Sequence, residues 1–98
     1  MPAPRTLVHS EWFDYALARL GGTEEIDELL GRELYRLSLY ADLVPVAKGC
    51  ARLRIYRTSP FLREDGQLVR VWIYFTLESK RGAVNLQHIE AVEEDMTG

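Results

Sequence analysis

The apolar residues of this chain change their period at Gly49. Upstream they recur every third or fourth position, the spacing of one helix face. Downstream they alternate with polar residues, the spacing of a half-buried strand. A chain that switches once must hold its helices and most of its strands in separate blocks, which is the pattern of an α+β domain. In the helical block Phe13, Ala16, Leu17 and Leu20 form one stripe, and Ile26, Leu29, Leu30, Leu34, Leu37 and Ala41 form a longer one. Ser10 stands as N-cap of the first helix, with Glu11 in the first turn, where the helix dipole favours a carboxylate. Gly21-Gly22 ends that helix, Thr23 caps the next, and the second helix must stop before Pro45. Ahead of both, Arg5-Thr6-Leu7-Val8-His9 reads as a brief strand, with His9 at the start of the first helix.

Beyond Gly49, Cys50 to Arg57 alternates and predicts a strand. Leu68 to Leu77 is a stronger one, rich in Val, Trp, Ile, Tyr and Phe. Thr58 to Gln67, with Pro60 and Asp65-Gly66, is the connection between them, and Lys80-Arg81-Gly82 marks the next turn. Ala83 to Val92 is the last strand, and residues 93–98 form an acidic tail expected to fray. The predicted order is β-α-α-β-β-β: a twisted antiparallel sheet with a helical hairpin packed on one face, in a single domain over 1–98. At 98 residues such a chain buries roughly 60–65% of its unfolded surface and needs no staple. Its one cysteine, Cys50, permits no internal disulfide and no metal quartet, so neither metal nor cofactor is expected. No apolar run approaches a membrane span, and the first residues lack the apolar stretch of a secretory signal. The expected setting is the reducing cytoplasm, away from membranes.

Net charge is -3, unevenly spread. Residues 1–44 carry four basic and eight acidic side chains, residues 45–82 eight and three, and residues 83–98 none and four. A cationic middle between acidic ends can present a local positive field to phosphate. Strand parity sharpens this. Val69, Val71, Ile73, Phe75 and Leu77 share one face and belong under the helices with Ala51, Leu53 and Ile55. Arg52, Arg54 and Tyr56, with Arg70, Trp72, Tyr74 and Thr76, then share the bare face. Arginine forks match phosphate bidentately and exposed rings stack on unpaired bases, so this face suits single-stranded RNA. The same residues also serve as ordinary cross-strand neighbours on a solvated sheet, and Trp72 and Tyr74 as anchors for a protein partner.

Several stretches together resemble the RelE/ParE toxin superfamily of bacterial toxin–antitoxin systems. They are Thr6-Leu7-Val8 entering the first helix, the leucine-rich helix running to Leu43-Val44-Pro45, and Lys48 before Gly49. Arg52-Leu53-Arg54-Ile55-Tyr56-Arg57, Val69 to Phe75 and Val84-Asn85-Leu86 complete the pattern. The resemblance spans nearly the whole chain, as element order and residue type. It implies a toxin with a cognate antitoxin, acting either by ribosome-dependent cleavage of messenger RNA or, in ParE-like members, by inhibiting gyrase; a homodimer stays open. Cleavage proceeds by attack of a ribose 2'-hydroxyl on the adjacent phosphate. On this reading Lys48, Arg52, Arg54 and Arg70 are catalytic, neutralising phosphate, with Lys48 a further cation or proton donor. Tyr56, Trp72 and Tyr74 hold bases. The alternative is a non-enzymatic interaction module using the same face.

Many nuclease members of that family end in His-Arg or His-Tyr after the last strand. Here the region reads Glu90-Ala91-Val92-Glu93-Glu94-Asp95. His88 is the nearest proton donor, but its parity matches Val84 and Leu86, the core row, and only a bulge or the frayed strand end would turn it outward. Glu24, Glu25, Asp27 and Glu28 read as a solvated helix start, and Cys50 as a small buried hydrophobe.

Overall fold

The computed structural model describes residues 3–20, 24–49, 52–63, 66–79 and 82–94. Strand β1 (Leu7–His9) leads into helix α1 (Glu11–Leu20), followed by helix α2 (Glu24–Tyr40) and a 3₁₀ turn at Ala41–Leu43. Strands β2 (Arg54–Arg57), β3 (Phe61–Leu62), β4 (Leu68–Leu77) and β5 (Val84–Glu93) complete one sheet. Its order is β1-β5-β4-β2, with β3 also on β4. The architecture is the expected α+β one. It is refined by the short strand β3 and by the parallel pairing of β1 with β5, Leu7 opposite Val84, which makes the sheet mixed.

Ser10 caps α1 as expected: its Oγ accepts the Phe13 N–H at 3.0 Å. The same hydroxyl donates to the Gln87 carbonyl at 3.3 Å, so the start of α1 is fastened to β5. His9 stays at this junction, 3.1 Å from Asp14 and edge-on to Phe13. The Gly21-Gly22 break and the Thr23 cap lie outside the described residues, as does Cys50. Gly49 and Gly66 both have positive φ, +85° and +86°, at the turns before β2 and β4, which a side chain would strain.

The core joins both helices to one face of the sheet. Phe13 of α1, Leu29, Leu30 and Leu37 of α2, and Ala41 pack with Val71, Ile73, Phe75, Val84, Leu86 and Ile89. Val69, Val71, Ile73 and Phe75 have no exposed surface, so the predicted core row of β4 is the observed one. No helix among the described residues is long and apolar enough to cross a membrane.

Two expectations need correction. The strand expected over 50–57 begins at Arg54, and its parity is the reverse of the predicted one. Arg54 lies opposite Phe75 and Tyr56 opposite Ile73, on the helix side, while Ile55 and Arg57 face Tyr74 and Trp72 on the other. Thr58 fixes this register. Its N–H donates to the Val71 carbonyl at 2.9 Å, and its buried Oγ1 accepts the Val71 N–H at 3.1 Å. A shift of one residue turns over every side chain of a strand, and burying the Tyr56 ring outweighs burying Ile55. The second concerns the last strand: expected over Ala83–Val92, it runs Val84–Glu93, and the Glu94 N–H donates to the Leu68 carbonyl at 2.8 Å. Residues 95–98 lie outside the described part.

Candidate functional site on the helix-free face

The face of the sheet away from the helices is built by three strands in register. Across it run two rows: Arg57, Trp72 and Glu90, then Ile55, Tyr74 and His88. Arg70 and Val92 lie at one end, Thr76 and Asn85 at the other. His88 belongs to this face because β5 carries a bulge. The pairing shifts between Tyr74↔His88 and Phe75↔Leu86, leaving Gln87 as the extra residue. That inserted position reverses the parity of everything after it. The Ser10 hydroxyl holds the Gln87 carbonyl, so the bulge is anchored by the cap of α1.

Five side chains gather there. The Tyr74 hydroxyl donates to Glu90 Oε1 at 2.5 Å, and the other oxygen of that carboxylate lies 3.8 Å from His88 Nε2. The rings of Tyr74 and His88 are 5.4 Å apart. The Arg57 guanidinium sits 4.4 Å from the centre of the Trp72 ring. Burial pushes the Tyr74 phenol up to about 12, helped by its hydrogen bond to Glu90 and by that group's charge, while Arg57 acts in the opposite direction. Tyr74 therefore stays protonated near neutral pH and orients the Glu90 carboxylate as a donor. His88 and Glu90 remain half in solvent, reachable by a ligand.

The expected residues do not form one cluster. Arg54 faces the helix side and donates to the carbonyl oxygens of Asp42 and Val44. Its remaining surface joins Arg52, Val46, Thr76, Leu77, Glu78 and Asn85 around a cleft of about 590 Å³ at the Thr76 end of the face. Tyr56 is packed against the core, and its hydroxyl donates to Glu33 of α2 at 2.5 Å, so it offers no ring to a base. Arg70 is on the bare face, but its Nε bonds Glu94 at 2.7 Å, which offsets its charge. The Trp72 ring has one side taken by Arg57. Lys48 is exposed in the turn with Gly49. Of the seven, Arg70, Trp72 and Tyr74 share the bare face, Arg52 and Arg54 flank it, and Lys48 and Tyr56 stand apart.

Sequence reasoning did not place Arg57 and Glu90, and it left His88 on the core row unless a bulge or the frayed strand end turned it outward. A signal for the last two was present. Val84 and Leu86 alternate, then Ile89 and Ala91 alternate, and the step of three between Leu86 and Ile89 marks an inserted residue. No signal of that kind existed for Arg57, because both rows of its strand contain apolar groups. No protein family, curated protein or solved structure matches the chain.

Proposed function

We propose that this protein is a RelE/ParE-like endoribonuclease that cuts single-stranded RNA on the helix-free face, as a toxin does on the translating ribosome. The observation that carries the reading is the bulge at Gln87, which sets His88 beside Tyr74 and Glu90. Cleavage by a 2'-hydroxyl needs a base, an acid and a cation close together. Glu90, aligned by Tyr74, takes the 2'-hydroxyl proton. The 2'-oxygen bonds to phosphorus and the bond from phosphorus to the 5'-oxygen breaks. The His88 imidazolium gives its proton to that leaving oxygen. Arg57 offsets the charge of the phosphorane, and Arg52 and Arg54 hold a neighbouring phosphate. The products are a 2',3'-cyclic phosphate and a free 5'-hydroxyl. Lys48 and Tyr56 have no part in this version.

The test is to incubate the purified chain with single-stranded RNA, and with ribosomes translating a message, and to map the ends formed. Expected are 5'-hydroxyl fragments, blocked by a 2'-deoxy substitution at the cut site and lost in His88→Ala. Intact RNA in both assays overturns the reading. If gyrase supercoiling is then inhibited by the same protein, the ParE-like alternative replaces it.

A further inference from the structure

Beside the His88–Glu90 cluster lies a groove with walls of two kinds. One wall is helix α1, where Trp12 is 77% exposed and Tyr15 63%, with the Arg19 guanidinium 5.8 Å from the Tyr15 ring centre. Trp12 and Tyr15 are three positions apart, so their rings share one side of the helix. The other wall is β5 from His88 through Ala91. The volume between them is about 530 Å³, within the range of small-ligand sites. Backbone groups in an antiparallel ladder alternate between the two edges of a strand. The bond from the Glu94 N–H to the Leu68 carbonyl turns the even positions of β5 toward β4. Ile89 and Ala91 therefore direct their N–H and carbonyl groups to the groove side. β1 ends at His9 opposite Leu86, so no described strand pairs with them.

We infer that this groove is a nucleobase subsite: it seats an unpaired base of RNA next to the phosphate to be cut, stacked on Trp12 and Tyr15 and hydrogen-bonded by the edge of β5. Unpaired bases stack on aromatic rings and bond through their Watson–Crick edges. That edge carries a donor beside an acceptor in every base. Ile89 and Ala91 each offer the complement, a carbonyl beside an N–H. Charge agrees with a neutral ring as occupant. The Glu90 carboxylate is engaged by Tyr74, and the helix wall contributes Arg19, to which the phosphate of the seated nucleotide can turn. Length agrees as well. Four residues of β5 span about 14 Å, short of the roughly 17–20 Å of an average strand, so an added protein strand finds little to pair with. His88 and Glu90 line this groove and also form the cluster, so a base held here brings its neighbouring phosphate to them. The identity of the ligand as RNA rests on the cleavage reading.

The probe is a short fluorescein-labelled strand of 2'-O-methyl RNA, which has no 2'-hydroxyl to attack and stays whole. Its control is the same backbone with abasic sugars. Binding of each to the whole chain is read by anisotropy. Trp12→Ala should weaken binding of the base-bearing strand about 5- to 150-fold, the range for loss of a stacked base, and leave the abasic strand unaffected. Trp12→Phe keeps a ring and should recover most of the affinity. Hydrogen exchange at the Ala91 amide should slow when the base-bearing strand binds. Trp12 is largely in solvent, so both variants keep the core, which circular dichroism checks. The subsite is overturned if the base-bearing strand fails to bind, if Trp12→Ala binds it undiminished, or if the abasic strand suffers the same loss. A photo-crosslinker at Tyr15 that captures protein and no RNA in cells also overturns it, because a protein is then the occupant. Uncut RNA in the cleavage assays, with Trp12-dependent binding intact, removes the cleavage reading and keeps the subsite. Cleavage alongside undiminished binding by Trp12→Ala does the reverse.

Discussion

The Tyr56 hydroxyl reaches a carboxylate, Glu33, that is 1% exposed and has Arg36 at 3.9 Å. A buried carboxylate depends strongly on the partners that satisfy it. Tyr56→Phe should lower stability by about 1–3 kcal/mol in urea denaturation, because the hydrogen bond lost is to a charged group. Burial first, then the hydrogen bond and charge of Glu33, push the Tyr56 phenol up to about 12 from 10.0. Above pH 10 the unfolded chain loses this proton while the folded one keeps it. Stability should therefore fall as pH rises from 10 toward 12, and the slope should be shallower in Tyr56→Phe. At the bare face, His88→Ala should reduce single-turnover cleavage by about 10²–10⁴-fold while leaving the melting temperature unchanged within error. Glu90→Gln should lower single-turnover cleavage by a comparable factor, since an amide cannot take the 2'-hydroxyl proton.

At the scale of elements, the joint between α1 and β5 is the sensitive point. Ser10 both caps the helix and holds the bulge carbonyl. Ser10→Ala should cost about 1–2 kcal/mol, or about 5–10 °C in melting temperature for a domain of this size, measured by circular dichroism. It should also lower cleavage beyond that loss, because the bulge sets the direction of His88. The helices and β4 were legible in the sequence because long stripes average over local exceptions. The short strand β2 was not. Leu53 and Ile55 on one row competed with Tyr56 on the other, and a distant residue, Glu33, decided between them by satisfying a phenol. His88 was set on the core row for a different reason: alternation was carried through β5 as if unbroken, although Leu86 and Ile89 stand three apart.

At the scale of the molecule, the cleavage reading makes the charge pattern the feature that would hold RNA. Net charge is -3, yet Arg52 and Arg54 line the cleft at the Thr76 end of the sheet and Arg57 lies on its bare face. Three phosphate contacts on single-stranded RNA should give a slope of log K against log salt of about -2, measured by anisotropy titration between low and moderate salt. Arg57→Ala should reduce that slope by roughly one contact, about 0.7. Arg70→Ala should change it less, because Glu94 already offsets that charge. The parallel ladder of β1 on β5 has an effect in time as well as in space. Leu7 waits for Val84, so during synthesis the opening segment stays unpaired until nearly all of the chain described here has emerged. A face that would attack messages on a working ribosome is thus assembled last, after the ribosome making it has passed the codons for its own final strand.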